Sequence, residues 1–125
     1  MAASLIAFVP SRDLVKARAF YVDVVGLTFV SEDPFAVVVS SRGVTVRIAN
    51  VSTVDSFTPY PFTILGWSVE DIAARVGELA KKGVSFQRYD GMKQDDLGIW
   101  SSPSGALVAW FADPDGNVLS LTQNP

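Results

Sequence analysis

The sequence predicts an α+β domain made of two βαβββ modules, and three observations carry that prediction. The first is a C-terminal hairpin whose turn chemistry is explicit: Trp110-Phe111-Ala112-Asp113-Pro114-Asp115-Gly116-Asn117-Val118-Leu119-Ser120-Leu121. Pro114 presets the backbone angle at the second turn position, Asp113 can bond back to the main chain, and Gly116 can adopt the left-handed conformation that closes the turn. The second observation is element order, in which a short apolar run, a helical stripe and further apolar runs occur twice. The third is a set of matched landmarks. Asp13-Leu14 and Asp71-Ile72 each open a helix, Gly26 and Gly83 each close one, and Phe29 and Phe86 each follow their glycine by three residues. The set amounts to an internal repeat of roughly 58 residues, and repetition outranks local propensity. Two such modules are expected to form a curved mixed β-sheet with helices outside and a concave cleft inside.

Taken in order, Ser4–Val9 reads as a buried strand closed by Pro10. Ser11 and Asp13 supply helix-start chemistry. Leu14, Ala17, Tyr21 and Val24 then recur at helical spacing, widened by Phe20, until Gly26 caps the helix. Leu27–Ser31, Phe35–Ser40 and Val44–Ala49 are rich in β-branched and aromatic residues, with turns at Glu32-Asp33-Pro34 and Arg42-Gly43. Asn50–Pro61 is polar and aperiodic, so module 1 spans about 1–50, the connector 51–61 and module 2 about 62–125, all one domain by size.

In the second module, Phe62–Val69 is strand-like, and Ser68 with Asp71 has the spacing of a capping box. Ile72, Val76 and Leu79 make the apolar face of a helix that ends in Lys81-Lys82-Gly83. Val84–Tyr89 is expected to be a strand. Asp90–Gly105 is irregular, with a brief strand at Gly98–Ser101, and the hairpin completes the chain.

Composition excludes several functions. A net charge of −3 with no Lys/Arg stripe argues against nucleic acid as a partner. With no cysteine, neither disulfides nor thiolate zinc sites can form. With no histidine, the commonest metal ligand and the commonest general base at neutral pH are missing. No apolar run approaches the roughly 18 residues that span a bilayer, and the N-terminus lacks signal-peptide character, so no membrane association and a cytoplasmic location are expected.

Residues 9–27, Val-Pro-Ser-Arg-Asp-Leu-Val-Lys-Ala-Arg-Ala-Phe-Tyr-Val-Asp-Val-Val-Gly-Leu, resemble the opening helix of the vicinal oxygen chelate superfamily. That superfamily contains glyoxalase I, bleomycin-resistance proteins, fosfomycin-resistance proteins and extradiol dioxygenases. Asp-Pro-Asp-Gly-Asn (113–117) resembles its closing signature, and with the repeat the resemblance covers the whole chain. It implies the glyoxalase/bleomycin resistance fold. It also implies four metal-ligand positions, two per module. These fall on Ile6, on Ile64, on Ser120 (four residues after Gly116) and on strand 44–49, where Arg47 is the best match within two residues. Isoleucine has no lone pair, serine is a poor ligand and arginine repels a cation. No metal and no other cofactor is therefore expected, and the chain reads as a metal-ligand-free member.

Strand alternation then nominates a different site. If Ile6 and Ile64 face the cleft, so do Phe8, Phe62, Gly66 and Ser68. A hairpin bulged at Gly116 places Trp110 opposite Ser120 and in the cleft; without the bulge Trp110 faces the helices. Trp67 has the opposite parity and packs against a helix. Arg47 would then fix an anionic or carbonyl group in an otherwise apolar, aromatic cleft. It reads equally well as a solvated edge residue, and Ile6, Ile64 and Phe62 as core packing. In the long loop, Trp100 is placed to close over a ligand with Gln94, Asp95 or Asp96 reaching inward; a solvated turn at Asp95-Asp96 is the alternative.

The expected ligand-binding set is thus Phe8, Arg47, Phe62, Gln94, Asp95, Trp100, Trp110 and Ser120. The expected function is metal-free binding of a small hydrophobic or aromatic organic molecule, in the manner of bleomycin-resistance-type proteins. The alternatives are a metal-independent acid/base enzyme using Tyr21, Tyr60, Tyr89, Asp95 or Asp96 near Arg47, and a dimerising module without a small ligand. A homodimer is expected from the resemblance, with the modules pairing within one chain or swapping between two.

Overall fold

The computed structural model describes all 125 residues, which divide into two compact units, Met1–Pro59 and Tyr60–Pro125. The first contains β1 (Ile6–Ser11), α1 (Leu14–Arg18), β2 (Thr28–Asp33), β3 (Ala36–Ser41) and β4 (Val44–Asn50). The second contains β5 (Thr63–Ser68), α2 (Ile72–Lys81), β6 (Trp100–Ser101), β7 (Leu107–Ala112) and β8 (Val118–Gln123). Each unit forms its own four-stranded mixed sheet, in the orders β1-β4-β3-β2 and β5-β8-β7-β6. In each, the first strand pairs parallel with the last and the remaining pairs are antiparallel. The α+β class and the doubled βαβββ order agree with the sequence reading.

In the first unit, Asp13 caps α1 through its side chain, accepting from the Val15 and Lys16 amides at 3.1 and 3.2 Å. The expected single helix to Gly26 is instead a short α-helix running into a π-helical segment, Ala19–Val24, where the Val25 amide donates to the Phe20 carbonyl at 2.9 Å. The wider turn keeps Tyr21 fully buried, with Phe20 edge-on to its ring. β1 includes Pro10, which the edge position of this strand tolerates. It is buried on one face only. Val9, Ile48 and Val37 form one buried row in register, and Phe8, Arg47 and Val38 form the neighbouring row on the other face.

In the second unit, Asp71 is itself the cap of α2, accepting from the Ala74 amide at 3.1 Å, and Gln123 Oε1 accepts from the Ile72 amide at 2.9 Å. The expected capping box led by Ser68 does not form, because Ser68 still belongs to β5. Ile72, Val76 and Leu79 are buried as expected, each contributing about 1.5–3 kcal/mol by removal from water.

Val84–Tyr89 is not a strand. It touches β7 at a single bridge, Phe86 to Phe111, and Trp100 pairs antiparallel with Val108 of the same strand. One edge strand is therefore interrupted by an excursion, and side chains supply the missing backbone partners. Gln94 Nε2 donates to the Gln87 carbonyl at 2.9 Å and to the Gly98 carbonyl at 2.8 Å, while its Oε1 accepts from the Tyr89 amide at 2.9 Å. Arg88 adds donations to the Asp95 and Asp96 carbonyls.

The register shows the repeat at residue level. Phe8, Arg47 and Val38 lie across three neighbouring strands of the first sheet as Gly66, Ser120 and Trp110 do in the second. Phe29 opposite Val39 corresponds to Phe86 opposite Phe111.

Candidate functional site

The hairpin turn determines which face the second sheet offers. Asp113 Oδ1 accepts from the Asp115 and Asn117 amides, both at 2.9 Å, and Oδ2 accepts from Asn117 Nδ2 at 2.9 Å. The Asp113 amide donates to the Asn117 carbonyl and the Gly116 amide to the Asp113 carbonyl, both at 3.0 Å, with Gly116 at φ +90°. This arrangement fixes the pairing of Trp110 with Ser120, so the bulged alternative of the sequence reading is the one that forms. Trp67 and Phe111 lie on the opposite face, their rings stacked at 6.4 Å, with α2 packed over β7 and β8.

On the helix-free face of the second sheet, three aromatic rings come together. Tyr89 meets Trp110 edge-on at 5.4 Å, and Trp100 lies tilted against Trp110 at 6.0 Å. Aromatic groups at these separations hold one another in place while each keeps part of its surface free. All three are partly accessible, and the Ser120 hydroxyl lies in the same row as Trp110, over Gly66. The result is an aromatic wall beside a small polar floor.

The loop that carries Tyr89 and Trp100 is tied down. Gln94 has both ends of its amide committed to main-chain groups, and Asp95 Oδ1 accepts from the Leu97 and Ile99 amides, each at 2.9 Å. These two side chains brace the loop and do not reach inward toward a ligand; for Asp95 the turn alternative describes its geometry. Sequence reasoning had no signal for the Gln94 bracket, because its three partners are main-chain groups of an aperiodic loop, at Gln87, Tyr89 and Gly98. Replacing Gln94 with leucine is expected to cost about 2 kcal/mol, because it leaves inward-facing backbone groups without partners. Hydrogen exchange of the Tyr89 amide is the direct readout, with protection lost in the variant; retained protection would contradict the bracing role.

Tyr89, a candidate proton-transfer group by sequence, has its hydroxyl engaged within its own loop. Here its hydroxyl donates to Gln87 Oε1, and burial raises its pKa above the ordinary 10.0 by penalising the phenolate. A raised folded-state value means this group's contribution to stability is intact below pH 10.0 and is lost as pH rises through the folded-state pKa. An ultraviolet titration of Tyr89→Phe should therefore lack one tyrosine that ionises above pH 10.0 in the wild type. Loss instead of a tyrosine that ionises at the ordinary value would show that Tyr89 is not shifted.

The first sheet offers a contrasting face. Phe8 is opposite Arg47, and Arg47 opposite Val38, so the arginine is flanked by apolar side chains. Ile6 and Phe8 are 51% and 62% exposed, which rules out core packing for them. The same holds for Phe62, 58% exposed and stacked on Tyr60 at 5.2 Å with rings 9° from parallel. Arg47 holds the register position in the first sheet that Ser120 holds in the second.

The four positions implied for a metal are thus Ile6, Arg47, Ile64 and Ser120, and they do not fit one. None is a carboxylate or imidazole, and nowhere does the chain gather three His, Cys, Asp or Glu side chains into a group able to hold an ion. No helix is long and apolar enough to cross a membrane.

No functionally curated protein matches the chain by sequence. Among solved structures, the chain is similar to a member of the glyoxalase/bleomycin resistance protein/dioxygenase superfamily from Sphaerobacter thermophilus, with 26% identity, TM-score 0.78, and coverage of 99% of this chain and 98% of that one. It is similar to TnmS3, an antibiotic-binding protein from Streptomyces sp. CB03234, at 26% identity and TM-score 0.75, covering 100% and 98%. A lactoylglutathione lyase from Agrobacterium tumefaciens shares the fold at 17% identity and TM-score 0.74, covering 98% and 94%. The family profile matches residues 5–121, and the chain belongs to the Glyoxalase/Bleomycin resistance protein/Dioxygenase superfamily.

Proposed function

We propose that this protein binds a small hydrophobic or aromatic organic molecule without a metal ion, as a sequestering or carrier protein. The observation that carries the reading is the wall of Trp110, Trp100 and Tyr89 standing where one row of the second sheet also presents Ser120. In a metal-dependent member of the superfamily that row would carry a metal-binding carboxylate. Here it presents an indole and a hydroxyl, groups suited to stacking and to a single hydrogen bond. In the same unit, exposed Phe62 adds apolar contact area. Taken by itself, the first sheet presents Arg47 beside exposed Phe8, a pair suited to an anionic or carbonyl group next to an apolar one. The similarity to an antibiotic-binding protein supports ligand capture as a use of this fold. A homodimer fits the apolar surface left open on β1 and at the start of β5.

Titration of intrinsic tryptophan fluorescence with a panel of soluble aromatic compounds tests the reading. Saturable quenching, with every compound recovered chemically unchanged, is the expected result. Absence of quenching across the panel, or conversion of a compound during the titration, would overturn it.

A further inference from the structure

We propose that Gly66 is a specificity-determining residue. It leaves a bare floor for a planar, fused-ring aromatic molecule, with Trp110 as the wall and the Ser120 hydroxyl as the hydrogen-bonding handle. This rests on the ligand-binding reading and adds to it the shape and chemistry of the ligand.

The backbone does not require glycine at this position. Gly66 is absent from the set of glycines with positive φ and sits in extended backbone inside β5, where glycine weakens a strand. The reason for its presence is therefore steric. A Cβ at residue 66 would lie 2.5 Å from Ser120 Oγ and 3.3 Å from the Ser120 carbonyl oxygen, so any side chain there would collide with the hydroxyl or displace it. Gly66 is itself exposed, whereas Ser120 beside it is 8% exposed and Trp110 is partly accessible. The row Gly66–Ser120–Trp110 thus descends from a tall indole to a small hydroxyl to bare main chain across three neighbouring strands, spaced about 4.8 Å apart.

A flat ring lying on that floor makes van der Waals contact with main chain at about 3.5–4.0 Å. A globular ligand of equal volume meets the wall before it can reach the floor. The hydroxyl, one donor with two acceptor pairs, then selects among flat molecules for those with a carbonyl or ring N–H at the edge. The repeat supplies an internal contrast, since the equivalent position in the first sheet is Phe8, where the floor is filled.

The test compares two probes by calorimetry: acridone, planar with a carbonyl and a ring N–H, and 1-adamantanol, globular with one hydroxyl. Four proteins are used: wild type, Gly66→Ala, Ser120→Ala and the double variant, each checked for an unchanged circular dichroism spectrum. Wild type is expected to bind acridone at least tenfold more tightly than 1-adamantanol, a comparison that needs no variant to fold. Gly66→Ala should lose at least tenfold in acridone affinity. The double variant, in which the clash with the hydroxyl is gone and only the 3.3 Å approach to the residue 120 carbonyl oxygen remains, should stay at least as weak as Gly66→Ala. Recovery of the double variant to the level of Ser120→Ala would mean that Gly66 only makes room for the serine, and would overturn the proposal. Equal affinity of wild type for both probes, or preference for 1-adamantanol, overturns the planar-ligand inference while leaving the binding reading intact. Binding of neither probe, alongside saturable quenching by other compounds in the aromatic panel, likewise overturns this inference alone; failure of the whole panel removes both.

Discussion

Replacing Trp110 with alanine is expected to lower the affinity for planar aromatic ligands by at least tenfold, about 1.4 kcal/mol or more. Trp110 is the ring that both Tyr89 and Trp100 touch, so its removal dismantles the wall as well as deleting one face of it. Because the side chain is only partly buried, the accompanying loss of stability should be about 2 kcal/mol, below the 3–5 kcal/mol typical of a fully buried tryptophan. Trp110→Phe keeps an aromatic face in the same row and should recover most of the binding. Calorimetric titration of both variants, with urea unfolding in parallel, separates the two effects. Wild-type affinity in Trp110→Ala would place the binding surface elsewhere.

Asp113→Ala should be the most damaging substitution at a polar residue near the site, lowering stability by about 3 kcal/mol. One carboxylate satisfies two main-chain amides and one side-chain amide in the hairpin turn, and both Asp113 and Asn117 are buried, at 6% and 2% exposure. Truncation leaves those donors unsatisfied, at about 1–3 kcal/mol for each group that water cannot reach. Asp113→Asn retains one carbonyl oxygen as an acceptor but sets an amide against Asn117 Nδ2, so an intermediate loss is expected. Urea midpoints for the two variants check the order. A change below about 0.5 kcal/mol in Asp113→Ala would show that the turn is held by other groups. The consequence for function is direct, since this turn sets the pairing of Trp110 with Ser120.

That same turn explains why much of the molecule was readable from its sequence. Asp113, Pro114 and Gly116 state their geometry through local chemistry alone, and once the hairpin register is known, the facing of Trp110, Ser120 and Trp67 follows from strand alternation. The repeat was legible because Asp13 and Asp71 cap their helices and the following phenylalanines sit at equivalent register positions.

What escaped reading depends on hydrogen-bond pairing and exposure that periodicity does not encode. Val84–Tyr89 has strand composition, but its backbone groups are satisfied by Gln94 and by scattered bonds to β7, which no periodicity announces. The π-helical segment after Arg18 leaves the apolar stripe nearly unchanged, so a helical pattern describes both conformations. Ile6 and Phe62 read as core packing by residue type, yet Ile6 lies on edge strand β1 and Phe62 just before edge strand β5, and both are exposed. Gln94 and Asp95 have the polarity of ligand-contacting groups, yet that polarity is spent on their own loop.

Ligand capture without a metal entails binding that is indifferent to chelators and to divalent ions. Tryptophan quenching by a bound aromatic ligand is titrated three times: in buffer, with excess EDTA, and with added Zn²⁺, Ni²⁺ or Mn²⁺. Superimposable saturation curves are predicted, because Ile6, Arg47, Ile64 and Ser120 offer no ligand set for those ions. Binding that disappears with EDTA and returns with a divalent metal would contradict the account.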